Sequence, residues 1–176
     1  VPNKKFEDLL TVMHYLQRHV EPSARLVHAG SHAGVEAYYS LLVARARALG
    51  LQDMRLLGPV TQPQLNACYA TAHVLLCMSE HEGFCAPLIE AMLHGVPVVA
   101  RAAAAVPETL AGAGVLLHGN DPVTAAETVG RVLHDAALRQ AILRRQRRRV
   151  EAFRNRDLDA EVGAALAPFL GARSAR

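Results

Sequence analysis

Aromatic residues are scarce in this 176-residue sequence: tryptophan is absent, and phenylalanine and tyrosine together make up 5% of it. Proteins that bind single-stranded nucleic acid commonly stack bases on aromatic side chains, so the composition gives such a function little support. Charge is also nearly balanced, since 19 Lys plus Arg against 16 Asp plus Glu give a formal net charge of +3. This excess does not mark the whole surface as a polyanion binder, and any basic patch must be local.

Cysteines and long apolar runs are rare as well. Cys68, Cys77 and Cys85 are odd in number and lack C-x-x-C spacing, so they suggest neither a disulfide framework nor a zinc cage. The nine histidines match no ligand spacing, and no metal site is expected. No run of about 18 apolar residues could span a membrane, and charges interrupt residues 1–20, where a signal peptide needs an apolar core. Together with the lack of a disulfide framework, this makes a reducing cytoplasm the simplest expectation.

Five short apolar runs alternate with stretches of helical pattern. The runs cover residues 24–29, 54–57, 73–78, 96–100 and 113–117, and the helical stretches cover residues 34–49, 63–71, 87–94 and 105–111. Nearly continuous apolar runs are typical of strands covered on both faces. The alternation predicts an α/β fold with a doubly wound, Rossmann-like parallel sheet, whose ligand lies at the carboxyl edge of the strands.

Helices are also predicted at both ends of the sequence. The first 20 residues are predicted to be helical after Pro2 and Asn3, and since a strand normally precedes such a helix, the chain is expected to begin within a strand–helix unit. Asp121 is predicted to cap a helix with Pro122 at its first position, and a further helix is predicted over residues 136–153.

The segment at residues 79–92 is the most informative one. It follows the third apolar run and is predicted to open a helix at Pro87, which leaves the amides of Leu88 and Ile89 without intrahelical acceptors. Free N–H groups and the positive end of a helix dipole attract anions. We therefore expect a phosphate at this helix start.

Two carboxylates flank the predicted phosphate position. Gly83 would let the backbone approach a ligand, while Glu82 and Glu90 could accept hydrogen bonds from a sugar diol. On spacing alone, two glutamates near a helix start are more often surface residues. The surrounding motif favours the binding role.

This motif resembles the signature of a known family. The pattern Glu82-x(7)-Glu90, within EGFC-x-P-x-x-EAM and followed by GVPVVA at residues 95–100, resembles glycosyltransferase family 4 (group 1), the retaining nucleotide-sugar transferases of GT-B architecture. The resemblance covers roughly residues 1–150 and includes Asn3-Lys4-Lys5, Gly30-Ser31, Leu57-Gly58, Val106-Pro107-Glu108 and Gly114-Val115-Leu116-Leu117. It implies the carboxyl-terminal half of such an enzyme, with a nucleotide-sugar-binding domain over residues 1–155 and a helical tail over residues 156–176.

The resemblance also implies roles on the sugar side of the donor. Glu82 would contact the transferred sugar, and the backbone amides of Gly83, Phe84 and Cys85 would meet its hydroxyls. Cys85 stands where the family more often has glycine, which is compatible with a contact through its N–H alone.

Further roles follow for the nucleotide side. Leu88 and Ile89 would hold the diphosphate, Glu90 would hold the ribose, and Lys4 would neutralise phosphate charge. The remaining positions expected along the nucleotide and base are Gly30, Ser31 and Gly58. The Gly30-Ser31-His32 turn has fewer glycines than is usual in the family, and Gly30 and Gly58 are equally well explained as turn glycines.

The implied reaction transfers a hexose, such as mannose or glucose, from a UDP-sugar or GDP-sugar to a glycan or lipid-linked acceptor with retention at the anomeric carbon. Glu82 and Lys4 would be the catalytic residues. Lys4 and the helix amides would stabilise the departing diphosphate, so no metal or other cofactor is expected. An N-terminal domain would hold the acceptor, and the present domain would be inactive without that N-terminal domain. The expected location is the cytoplasm or the inner face of its membrane.

A basic run leaves a second interpretation open. Five arginines, at positions 144, 145, 147, 148 and 149, could make the chain a noncatalytic module that binds nucleic acid or an anionic surface. They could equally form a solvated or interdomain helix face. Nucleic acid is not expected, because Phe153 is the nearest aromatic side chain.

Overall fold

The computed structural model describes residues 1–170. Its framework consists of five short strands, each inside one of the predicted apolar runs or extending it by one residue. They are β1 (Leu26–His28), β2 (Met54–Leu56), β3 (Leu75–Cys77), β4 (Val98–Arg101) and β5 (Val115–Leu117). Every strand pairing is parallel, as the sequence predicted.

Helices connect the strands and complete the chain. They are α1 (Phe6–Tyr15), α2 (Glu36–Ala48), α3 (Gln62–Thr71), α4 (Ala86–Leu93), α5 (Val106–Leu110), α6 (Pro122–His134), α7 (Ala136–Arg154) and α8 (Leu158–Leu170). A 3-10 turn at Pro2–Lys4 precedes α1 and a π-helical turn at Leu16–Val20 follows it. None of the helices within residues 1–170 is both long and apolar enough to cross a membrane. Residues 171–176 of the predicted tail lie outside the described part.

The start of α6 shows how local chemistry sets an element boundary. The Asp121 carboxylate accepts hydrogen bonds from the amides of Val123 and Thr124, which have no acceptor inside the helix. Pro122 stands at the first helical position, where its missing N–H costs no hydrogen bond. The predicted cap is confirmed.

Helices cover both faces of the central strand β4, as a doubly wound sheet requires. Val99 packs into the core cluster formed with α1 and α6. Val98 and Ala100 point the other way, into the cluster formed with α4 and α5. All three residues are fully buried, which explains the continuous apolar run from which the strand was predicted.

The strands divide into two hydrogen-bonded groups, β1–β2 and β3–β4–β5. In the described part of the chain β1 and β3 do not pair with each other. Leu26 of β1 and Leu76 of β3 instead pack on one core cluster that contains Val12 of α1. Side-chain packing on α1 therefore joins the two groups.

The prediction that every strand is covered on both faces is wrong for β1 and β2. Val27 is 50% exposed, and Arg55, its register partner in β2, is exposed as well. Leu26 and Met54 face the other way and pack with Leu42 of α2. Among residues 1–170, helices thus bury only one face of this pair.

Gly130 allows α6 to pack closely on the π-helical turn. A Cβ atom placed there would lie 2.2 Å from Cγ1 of Val20, whereas one at Gly163 in α8 would meet no atom of the described residues within 4 Å. Because Val20 is branched at Cβ and its side chain is stiff, Gly130→Ala should destabilise the fold by about 1–3 kcal/mol despite the higher helix propensity of alanine. Urea denaturation of Gly130→Ala and the control Gly163→Ala would test this, and equal stabilities for the two variants would contradict it.

Candidate functional site

The amino-terminal turn is fastened to the loop that follows β3. The Asn3 carbonyl accepts from the Glu80 amide at 2.9 Å, and Nδ2 of Asn3 donates to the His81 carbonyl at 3.4 Å. These bonds bring Nζ of Lys4 to 2.6 Å from Oε1 of Glu82, across 78 positions of sequence. The structure therefore unites the two side chains that sequence reasoning had assigned to catalysis.

Glu82 is held as a carboxylate within this contact. Its side chain is 9% exposed and that of Lys4 is 35% exposed. Burial by itself would raise the pKa of Glu82, but hydrogen bonds from Lys4 and Ser79, together with the ammonium charge, outweigh it and lower the pKa. The pair places an ionised acceptor beside a cation that a second anion can still reach.

The loop from Gly83 to Cys85, which follows Glu82 directly, is held by hydrogen bonds to α5 and the residue before it. Thr109 of α5 donates through Oγ1 to the Phe84 carbonyl at 2.6 Å, and the Ala105 amide donates to the Glu82 carbonyl at 3.3 Å. Within residues 1–170, the amides of residues 83–85 donate to no protein acceptor. These are the three N–H groups that the sequence predicts as donors to the sugar, and that role stays a prediction.

Helix α4 begins one residue earlier than predicted, at Ala86, so Pro87 is its second residue. Cys85 caps it with a left-handed backbone, at φ 62°. The Leu88 amide donates to the Cys85 carbonyl at 3.0 Å, closing a first turn of 3-10 type. The prediction that this amide is free is therefore wrong, because a local carbonyl already accepts from it.

Glu90 has a partner that sequence reasoning missed. Its Oε2 accepts a hydrogen bond of 2.8 Å from the hydroxyl of Tyr69 on α3, whose ring stacks on His94 with 5.2 Å between centroids. Burial and the Glu90 carboxylate both raise the pKa of Tyr69, so its hydroxyl remains a neutral donor. Among the described residues Oε1 of Glu90 accepts no hydrogen bond, and this oxygen is open to a ligand. No motif marks Tyr69, since the contact depends on how α3 packs beside α4.

The two predicted glycine turns meet in the fold. The Gly30 amide donates to the Gly58 carbonyl at 2.9 Å, and Gly58 has φ 68°, a conformation that favours glycine. Oγ of Ser31 accepts from the Ala33 amide at 3.2 Å, which tightens the first turn. The loops after β1 and β2 thus form one surface.

The basic run divides between structural and exposed positions. Arg149 turns inward and donates to the Thr109 carbonyl at 3.0 Å and the Glu108 carbonyl at 2.8 Å, at the end of α5. Its guanidinium lies 4.3 Å from the centroid of Phe153, whose ring meets Phe84 edge to face. The exposed members of the run are Arg144, Arg145, Arg147 and Arg148. Arg149 therefore supports the 83–85 loop through α5.

Two cysteines complete the surroundings of Glu82. The sulfur atoms of Cys77, at the end of β3, and Cys85 lie 3.9 Å apart. A hydrogen bond from the Cys85 thiol lowers the pKa of Cys77 below the ordinary value of a thiol.

Sequence comparison identifies the family. Residues 1–149 match the family model of the glycosyl transferases group 1. The sequence is 36% identical over 115 residues to the D-inositol 3-phosphate glycosyltransferase of Salinispora tropica, covering 64% of this chain and 24% of that protein. The chain belongs to the glycosyl transferases group 1 family, which confirms the resemblance seen in the motif. It spans roughly a quarter to a third of the length of the curated relatives it matches.

Solved structures share the fold. Anabaena Alr3699/HepE in complex with UDP and glucose has a TM-score of 0.73 at 21% identity, with 98% of this chain and 46% of that chain covered. The C-terminal domain of the glycosyl transferase group 1 family protein LpcC from Francisella tularensis has a TM-score of 0.71 at 21% identity, covering 86% and 80%. The predicted Rossmann-like fold of a GT-B C-terminal domain is confirmed.

The lowered pKa of Glu82 makes the stability provided by its ion pair depend on pH. Such a carboxylate stabilises the fold above its unfolded-state pKa, near 4.5, and the contribution is lost as the pH falls through the lower folded-state value. Lys4→Met should therefore cost about 1 kcal/mol near neutral pH, because Lys4 is partly exposed, and progressively less below about pH 4.5. Urea denaturation across this pH range would show the convergence.

Lys5→Met is the matched control, because Lys5 pairs at 3.1 Å with the more exposed Glu80. A Lys4→Met deficit that stayed constant between neutral and acidic pH would contradict the assignment.

Proposed function

We propose that this chain binds the sugar-nucleotide donor of a retaining glycosyltransferase. The whole enzyme would transfer a hexose, such as mannose or glucose, from a UDP-sugar or GDP-sugar to a glycan or lipid-linked acceptor held by an N-terminal domain. The observation that carries the proposal is the ionised Glu82, whose Oε1 lies 2.6 Å from Nζ of Lys4. It directly precedes the amides of residues 83–85, which donate to no acceptor within residues 1–170. An ionised acceptor and three amide donors thus lie on adjacent residues of the loop after β3.

The sugar would occupy this position. A hexose offers adjacent hydroxyls that can donate to the Glu82 carboxylate and accept from the amides of Gly83, Phe84 and Cys85. A hydrogen bond to a charged group contributes about 1.5–3 kcal/mol net, so the carboxylate would supply much of the recognition. The rigid support from Thr109 reduces the entropy lost on binding, because the loop is ordered before the ligand arrives.

The nucleotide would extend from the sugar toward Glu90. The ribose diol would donate to Oε1 of Glu90, while Tyr69 keeps the carboxylate in place through Oε2. The diphosphate would lie at the start of α4, near the Ile89 amide and within reach of Lys4, where the helix dipole favours negative charge. The paired turns at Gly30 and Gly58 would contact the rest of the nucleotide.

This arrangement suits a reaction in which the diphosphate leaves with growing negative charge and the sugar ring gains positive charge. Lys4 would stabilise the departing phosphate, and the Glu82 carboxylate would favour positive charge on the sugar. These protein groups would supply the electrostatic stabilisation without a metal. The Anabaena structure with UDP and glucose supports a UDP-hexose donor, because it shares the fold.

Nucleotide binding can be measured on this chain directly. UDP or GDP at about 100 times its dissociation constant should raise the free energy of unfolding by ~2.7 kcal/mol, which a thermal melt detects. Adding EDTA should leave the shift unchanged, because Lys4 and the positive end of the α4 dipole, at the Ile89 amide, would attract the diphosphate without a metal. RNA binding with a steep salt dependence and no response to either nucleotide would instead favour the nucleic-acid interpretation of the arginine run.

Two glutamate variants separate the ends of the donor. Glu90→Gln should weaken free UDP (or GDP, if that nucleotide binds) and the intact sugar nucleotide alike, by about 10- to 100-fold, because it removes a charged acceptor from the ribose. Glu82→Gln should leave the free nucleotide unchanged and weaken only the sugar nucleotide. Calorimetry with both ligands measures this difference.

The control is Glu127→Gln, an exposed glutamate on α6 that lies outside the site. Affinities that are equal for the wild type and all three variants would remove both assignments.

A further inference from the structure

Two thiols and a carboxylate converge beside the proposed sugar position. The sulfur atoms of Cys77 and Cys85 are 3.9 Å apart. A carboxylate oxygen of Glu82 lies within 4.8 Å of both sulfurs. Sequence spacing suggested no metal site, because seven residues separate the cysteines, and only the turn from β3 into α4 brings them together.

The sulfur separation fits a shared metal ion. Zinc binds thiolate sulfur at about 2.3 Å, so a tetrahedral centre holds two sulfurs about 3.8 Å apart. The observed 3.9 Å accommodates the ion almost without movement. A disulfide, in contrast, requires the sulfurs to approach to about 2.05 Å.

We propose that Cys77, Cys85 and Glu82 form a binding site for a thiophilic divalent cation such as Zn²⁺. Two thiolates and one carboxylate are a ligand set that zinc accepts, and three protein ligands leave the fourth position for water. The thiols release their protons to solvent as the ion binds. Three anionic ligands offset the charge of the ion and also that of the nearby Lys4.

The cation and the donor sugar would compete for one carboxylate. Glu82 already contacts Lys4 at 2.6 Å, and binding the ion would draw its oxygen toward the sulfurs. Zinc should therefore weaken binding of the intact sugar nucleotide more than that of the free nucleotide. This consequence rests on the proposed function, whereas the metal site itself does not.

Cobalt makes the site visible. Titration of the reduced 176-residue chain with Co²⁺ should produce sulfur-to-cobalt charge-transfer absorption and the ligand-field bands of a tetrahedral centre, both abolished by added Zn²⁺. Cys77→Ser and Cys85→Gly should each weaken zinc binding by more than about tenfold, since even the loss of an outer-shell partner can have that effect. Glycine suits position 85 because its φ is 62°.

The matched control is Cys68→Ser, which removes the third cysteine, on α3, and should leave the spectrum unchanged. Circular dichroism and a thermal melt establish that each variant is folded. The proposal would be overturned if the wild type showed no charge-transfer absorption. It would also be overturned if folded Cys77→Ser and Cys85→Gly gave the same cobalt spectrum as the wild type.

Lys4→Met distinguishes this proposal from the donor assignment. Removing the ammonium frees Glu82 and removes a repelling cation, so zinc binding should tighten while sugar-nucleotide binding weakens. Cobalt absorption without nucleotide binding would support the metal site and contradict the proposed function. Nucleotide binding without charge-transfer absorption would support the proposed function and contradict the metal site.

Discussion

The contact between Lys4 and Glu82 is the constraint on which the site depends. It joins the amino-terminal turn to the loop after β3 and gives Glu82 a partner that keeps it ionised at low exposure. A carboxylate removed from water without such a partner would take up a proton or destabilise the fold. Arg101 of β4 reinforces the junction, since its Nη1 lies 3.5 Å from Oδ2 of Asp8 and 3.4 Å from Oε1 of Glu80. Lys4 and Glu82, which join the amino-terminal turn to this loop, are also the charged groups that the proposed sugar nucleotide would contact.

A second layer of contacts positions the ligand-facing groups. Thr109 donates to a carbonyl of the 83–85 loop, and Arg149 donates to a carbonyl of α5. Tyr69 donates to Glu90 and orients its carboxylate. None of these side chains belongs to the recognised motif. They fix in advance the directions of the amides and of the carboxylate, so that little reorganisation would accompany binding.

The proposed donor site and the proposed cation site share Glu82, which sets a physical limit on both. A carboxylate oxygen can accept from sugar hydroxyls or coordinate a metal ion, and Lys4 favours the first arrangement by remaining within hydrogen-bonding distance. Cys85 belongs to both sites, because its amide is one of the proposed donors to the sugar and its sulfur lies 3.9 Å from that of Cys77. Glycine at this position would keep the left-handed backbone without the sulfur.

The sequence alone determined the order of strands and helices, the parallel pairing, the cap at Asp121 and the family, because each follows from short-range periodicity or from a contiguous motif. It also placed Glu82, Gly83 and Glu90 near one helix start. Tertiary structure alone decided that Lys4 reaches Glu82, that Tyr69 supports Glu90, that Gly30 bonds to Gly58 and that two cysteines meet. It also decided that the Leu88 amide is occupied and that Val27 is exposed. These features depend on packing between distant segments and on the exact turn before α4, and local patterns of residue type carry no information about such distances.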